Sequence, residues 1–176
     1  MSDDDESLML KAKKGDMAAF EKLVKIYMKK AYFIILGFTG DPEVSLDLSQ
    51  EAFVSVFRSI KRFNPQYRFY PWFYKILKNL ALNYVRRRKR ETNLSGAIPD
   101  NTYNPEVIRE RDERKDAVWK AIWELEPGER EIIIFKHFQE LSYEDIAQIL
   151  DCPVGTVMSR LYYARKKLKE KVERWL

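Results

Sequence analysis

The chain has 176 residues, a net charge of +5, one cysteine and one histidine. A lone cysteine excludes an internal disulfide, and Cys152 with His137 cannot furnish the four ligands of a structural zinc site. The start, MSDDDE, is acidic where a secretory leader is basic. The longest apolar run, Ala31 to Phe38, is too short to cross a bilayer, so a cytoplasmic protein without a membrane span is expected.

In chain order, a short helix is predicted over Glu6 to Lys13, with Gly15-Asp16 as stop and N-cap. Phe20, Leu23, Val24, Tyr27, Ala31, Ile34 and Ile35 recur at helical spacing. Gly37 to Pro42, with two glycines and Asp41-Pro42, reads as a turn. The next helix runs from Ser45 to Phe63 and buries Leu48, Ala52, Phe53, Val56, Phe57 and Ile60. Asp47, Gln50, Glu51 and Arg58 fall together on another of its faces. Asn64-Pro65 ends it, Gln66 to Tyr70 form an aromatic loop, and Pro71 opens a helix carrying Trp72 to Lys89, since proline is tolerated in a first turn.

Between Lys61 and Arg90 stand ten lysines and arginines, eight aromatics and no Asp or Glu. Cations neutralise phosphates, and flat rings stack on bases that have left a duplex. The combination points to an opened nucleic acid strand. From Glu91 the helical stripe fails and the net charge turns acidic, as expected of a linker.

Helix signals return with Val107, Val118, Ile122 and Leu125, beside Trp119 and Trp123. Pro127-Gly128 breaks the run, and Glu129 to Phe138 follows with Ile132, Ile133, Phe135 and Phe138 inward. Then LSYEDIAQILDCPVGTVMSRLYYARKKL presents Ser142 and Asp145 as a capping pair. Ile146, Ala147 and Leu150 are the inward face, and Asp151-Cys152-Pro153 is the turn. A second helix begins near Val154. This is the helix-turn-helix plan, whose second helix enters the major groove. Val157 and Leu161 turn inward. Thr156, Met158, Ser159, Arg160, Tyr162 and Tyr163 face duplex DNA, followed by the basic Arg165 and Lys166. The expected fold is all-α: two small helical domains, 1–90 and 113–176, joined by a flexible linker over 91–112. DDDE is the only acidic cluster and a disordered terminus accounts for it, so neither a catalytic centre nor a cofactor is expected.

The stretches AKKGDMAAFEKLVKIY, DLSQEAFVSVFRSIKRF, FYPWFYKILKNLALNYVRRRKR and the helix-turn-helix, in this order, resemble the extracytoplasmic-function (ECF) sigma factors of bacterial RNA polymerase. The resemblance implies a subunit that binds core polymerase, directs it to promoters and nucleates melting. Asp47, Gln50, Glu51 and Arg58 match the face that grips the clamp of the largest polymerase subunit. Tyr67, Arg68, Phe69, Tyr70, Trp72, Lys75, Asn79, Asn83 and Arg86 match the surface that holds the single-stranded minus-10 element. The loop from Gln66 to Tyr70 would capture a flipped base. The helix-turn-helix would read the duplex minus-35 element. Met158 and Tyr163 stand where the family commonly has basic residues, and Asn83 where it often has Asp. An anti-sigma partner is implied as well. The alternative is an autonomous helix-turn-helix regulator, which would leave the basic, aromatic stretch unexplained.

Overall fold

The computed structural model describes residues 3–95 and 113–174, all helix and connecting turns. Four helices form the first half: α1 (Asp3–Lys13), α2 (Met17–Thr39), α3 (Pro42–Ser59), which runs on into a single 3-10 turn over Ile60–Arg62, and α4 (Phe69–Ser95). Four more follow: α5 (Glu113–Trp123), α6 (Pro127–Ile133) with a π-helical turn over Ile134–Phe138, α7 (Tyr143–Leu150) and α8 (Val154–Val172). The expected linker, 91–112, is helical as far as Ser95. Its remainder, together with Val107, lies outside the described residues.

Local chemistry sets the ends. Asp16 accepts from the Ala19 N–H at 3.0 Å and caps α2. Asp41 accepts from the Glu43 and Val44 N–H groups at 3.0 and 3.1 Å and caps α3, the position such residues favour because the first helical N–H groups lack partners. Gly40, at φ +67, ends α2 in the left-handed region and donates to the Leu36 carbonyl. A side chain there would also strike Trp123, with a Cβ only 2.7 Å from its ring.

Tyr27, midway along α2, is the hub of the first half. Its ring meets Phe69 at 5.2 Å, Tyr70 at 5.4 Å and Phe73 at 5.9 Å, and each such pair adds about 0.5–1.5 kcal/mol beyond burial. Its hydroxyl donates to the buried Asp5 at 2.6 Å. The core does not stop at this half. α2 packs on α1, α3 and α4, and also on α6 and the π turn. Phe33, Trp119 and Phe138 form a ring triad with centroids 4.9 to 5.8 Å apart.

Three expectations are corrected here. Gly37 lies inside α2, and the turn begins only at Gly40. Phe69 and Tyr70 belong to α4 and are buried, 0% and 1% exposed. The reason is distant in sequence: Glu6 of α1 accepts from the Phe69 N–H at 3.0 Å and starts the helix two residues before Pro71. Phe57 is half exposed rather than core, with its ring against Phe20 at 5.4 Å.

Candidate nucleic-acid interface

Three surfaces carry the residues singled out in the sequence. The first is the outer face of α4. Phe69, Tyr70, Phe73, Tyr74, Leu77 and Ala81 turn into the core. Lys75, Asn79, Asn83 and Arg86, spaced by four, four and three residues, share the opposite stripe and are all exposed. Arg87, Arg88, Lys89 and Arg90 extend the exposed positive surface. Before the helix, Tyr67 is 67% exposed. Trp72 is half-buried, its ring 5.0 Å from Phe63. Asn64, Gln66, Tyr67, Arg68, Trp72 and Lys75 line one wall of a cleft of about 590 Å³, and Gln148, Ile149 and Asp151 of the second half line the other. Of the aromatics expected to capture a base, Tyr67 alone faces this cleft. Phe69 and Tyr70 instead hold up the loop from beneath.

The second surface is the recognition helix. Ser142 caps α7 by accepting from the Asp145 N–H at 3.0 Å. Asp151, at φ +51, turns the chain, and the Cys152 N–H closes on the Ala147 carbonyl at 3.0 Å. α8 then buries Val157, Leu161 and Ala164. At 100° per residue, Ser159 and Lys166 point directly away from that seam. Met158, Tyr162 and Arg165 lie on one shoulder, and Arg160, Tyr163 and Lys167 on the other. All eight are exposed, whereas Thr156 is half-buried. The Ser159 hydroxyl is tied to the Thr156 carbonyl at 3.0 Å. Arg165 donates to His137 Nε2 at 3.1 Å. Burial, with Arg165 and Lys136 nearby, holds the His137 pKa below its ordinary value, so the ring stays neutral and accepts that bond.

The third surface is α3. Asp47, Gln50, Glu51 and Arg58 are exposed on one face. Leu46, Val54 and Phe57 are exposed beside them, and the sequence reading passed over all three as surface contacts. Apolar side chains at exposed positions among charged ones were the available signal. No helix among the described residues is long and apolar enough to cross a membrane.

The two halves meet along a polar seam that the sequence did not reveal. Arg130, 8% exposed, donates to the carbonyls of Ile122 at 3.2 Å, Trp123 at 2.5 Å, Leu125 at 2.8 Å and, across the seam, Gly37 at 2.8 Å. These carbonyls lie in or just beyond the last turns of α5 and α2, where helices leave acceptors unpaired. One guanidinium therefore serves two helix ends, with its cation at the negative pole of each. Its carbon lies 3.9 Å from the Trp123 ring centre, and burial lowers its pKa to about 10. Nearby, Tyr70 donates to Gln139 and Tyr74 to Glu131, while Lys78 pairs with Glu131 at 3.0 Å. Burial pushes both tyrosine pKa values up, and for Tyr74 the Glu131 charge adds to it.

Comparison with known proteins accounts for both halves. Residues 23–91 match the Sigma-70 region 2 family model, and residues 115–168 match that of Sigma-70 region 4. The RNA polymerase sigma-H factor of Pseudomonas aeruginosa is 33% identical, over 96% of this chain and 94% of the relative. The ECF RNA polymerase sigma-E factor of Escherichia coli is 34% identical over the same shares. Among solved structures, the sigma factor RpoE in complex with the anti-sigma factor NepR from Bartonella quintana superposes with a TM-score of 0.70 at 25% identity, covering 88% of this chain and 96% of that one. CnrH in complex with the cytosolic domain of CnrY shares the fold, with a TM-score of 0.72 at 23% identity, covering 98% and 99%.

Proposed function

Since the chain belongs to the ECF sigma factors of the sigma-70 family, the subunits that direct RNA polymerase to promoters, we propose which of its surfaces does each part of that work. The exposed face of α3 docks on the clamp of the largest polymerase subunit through Asp47, Gln50, Glu51 and Arg58, and Val54 supplies an apolar contact between them. The stripe Lys75, Asn79, Asn83 and Arg86, with Tyr67, Arg68 and Trp72 at its head, holds the opened minus-10 strand. Phe69 and Tyr70, named with these in the sequence, support the loop from the core. The exposed face of α8, Met158, Ser159, Arg160, Tyr162, Tyr163, Arg165 and Lys166 with Thr156 at its start, reads the minus-35 duplex.

The observation that carries this reading is the α4 stripe: cations and amides in one line, without a carboxylate, beginning beside an exposed aromatic. Stacking a base on an aromatic is worth about 1–3 kcal/mol, comparable to the cost of unstacking it. Melting therefore needs no catalytic group of the chain's own. The protein acts in the cytoplasm, where polymerase and promoter DNA meet. One of its structural neighbours is bound to an anti-sigma factor, and a partner of that class is proposed for this chain too.

Promoter-specific transcription with purified core polymerase tests the assignment. Permanganate reactivity of unpaired thymines reports melting. Asn79→Ala and Tyr67→Ala are expected to reduce melting about tenfold while core binding is retained. If no promoter responds, and the protein alone binds one defined duplex tightly, the chain is an autonomous helix-turn-helix regulator instead.

A further inference from the structure

We propose that the recognition helix selects thymine at minus-35 by contact with its methyl group, and that Met158, Tyr162 and Tyr163 make that contact. The inference rests on the sigma reading above. The outer face of α8 has an apolar middle. Met158 is 53% exposed, Tyr162 65% and Tyr163 61%, and the two tyrosine rings meet edge to face at 5.4 Å. The inward seam of the helix is filled by Val157, Leu161 and Ala164, so packing does not call for these three side chains. Gly155 lies on the same outer face, and a Cβ there would meet nothing within 4 Å. The fold has room for a side chain at that position. Bare backbone there lets the start of the helix approach a ligand closely.

The polar groups that could compete for a base edge are engaged within the protein. Ser159 donates to the Thr156 carbonyl at 3.0 Å. Arg165 donates to His137 at 3.1 Å, and Lys167 pairs with Glu129. Arg160 shares the wall of a cleft with Glu126 and Glu129, two carboxylates that attract it. Lys166 is exposed but stands about 10 Å farther along the axis than Ser159. Bases meet the first turns of a recognition helix, so the cations farther along are placed for phosphates, which carry no sequence information.

Thymine shows a C5-methyl group in the major groove, with the O4 acceptor beside it, and the other three bases show no methyl. Methionine is unbranched and adapts to an irregular apolar neighbour. A tyrosine ring covers a methyl group while its hydroxyl remains a donor. The middle of the face, Met158, Ser159, Tyr162 and Tyr163, holds no cation to span guanine O6 and N7, the commonest specific contact. Its chemistry therefore favours A·T pairs read from the thymine side.

The test uses the full chain assembled with core polymerase. Duplexes randomised at minus-35 are selected for binding. The selected element is then rebuilt with deoxyuridine for each thymine in turn, which removes the methyl group alone. Thymine should lead at the selected positions, and each contacted methyl should be worth about fourfold in affinity. Met158→Ala, Tyr162→Ala and Tyr163→Ala should each bind thymine and deoxyuridine alike at one position, with helical circular dichroism unchanged. Tyr162→Phe keeps the ring and should keep the difference. Met158→Arg should shift selection towards guanine. A wild type that binds both duplexes equally, or that selects guanine, would overturn the proposal, leave the face as a surface for another protein, and not touch the sigma reading. A difference that survives all three alanine variants, or that vanishes in Tyr162→Phe, overturns the assignment to these apolar groups. If the chain gives core polymerase no selectivity for any duplex, the sigma reading falls and this proposal with it.

Discussion

Arg130→Met replaces the guanidinium that binds the end carbonyls of two helices with an apolar chain of similar length. Hydrogen bonds to a charged partner contribute about 1.5–3 kcal/mol each. Four of them come to about 6 kcal/mol at the low end of that range. Against this stands the burial that lowers the pKa from 12.5 to about 10, a cost of about 3 kcal/mol. The difference, about 3 kcal/mol, is a large share of the 5–15 kcal/mol that holds a typical domain together. Urea unfolding monitored by circular dichroism should show the midpoint falling by that equivalent. Hydrogen exchange should quicken at the C-terminal turns of both α2 and α5. Arg130→Lys offers three donors from a point charge, which cannot span four carbonyls, and should fall between the two. A loss under about 1 kcal/mol with an unchanged denaturant slope, or faster exchange in α5 alone, would refute the idea that one side chain serves the end carbonyls of both helices.

Three further predictions concern local chemistry. Tyr27→Phe deletes the donor to Asp5 and should cost about 1–3 kcal/mol because a buried carboxylate loses its partner; a thermal melt that does not move would contradict this. Asp16→Ala should cost about 1 kcal/mol, visible as faster amide exchange in the first turn of α2. The His137 pKa is depressed in the folded protein, first by burial and then by Arg165 and Lys136. Below the ordinary value of about 6.5 the unfolded chain takes up a proton that the folded chain resists. Stability should therefore decline as pH falls from 6.5 through the folded pKa. Urea midpoints at pH 7.5 and 5.5 should differ more in the wild type than in His137→Gln.

What was legible in the sequence is what depends on near neighbours. Asp16 and Ser142 cap helices within three residues of themselves. The buried stripes of α2 and α8 follow the helical period. The helix-turn-helix has its capping residue, turn and seam within 30 residues. What was illegible depends on contacts far along the chain. Phe69 and Tyr70 read as loop because Pro65 and Pro71 bracket them, but their helix begins on a carboxylate 63 residues earlier. Gly37 read as a turn because a glycine usually marks one. Its actual use is to admit Ile134, nearly a hundred residues away. Arg130 and Glu131 sit in a run of charges, GERE, that looks like any solvated helix start. Only the two helix ends converging on Arg130 explain its burial. Phe57 fitted the core stripe by spacing but lies on its margin.

The bond between Glu6 and the start of α4 also bears on how the protein is made. During synthesis α1 and α2 leave the ribosome well before Phe69. At about 5–20 residues per second, the 63 residues between the partners take roughly 3–13 s. Tyr27, 42 residues before Phe69, and its neighbours have no α4 to cover them for roughly 2–8 s of it. The first half can close only when α4 arrives, so a chaperone that binds nascent chains has a defined window here, opening with α2 and ending as Phe73 and Leu77 emerge.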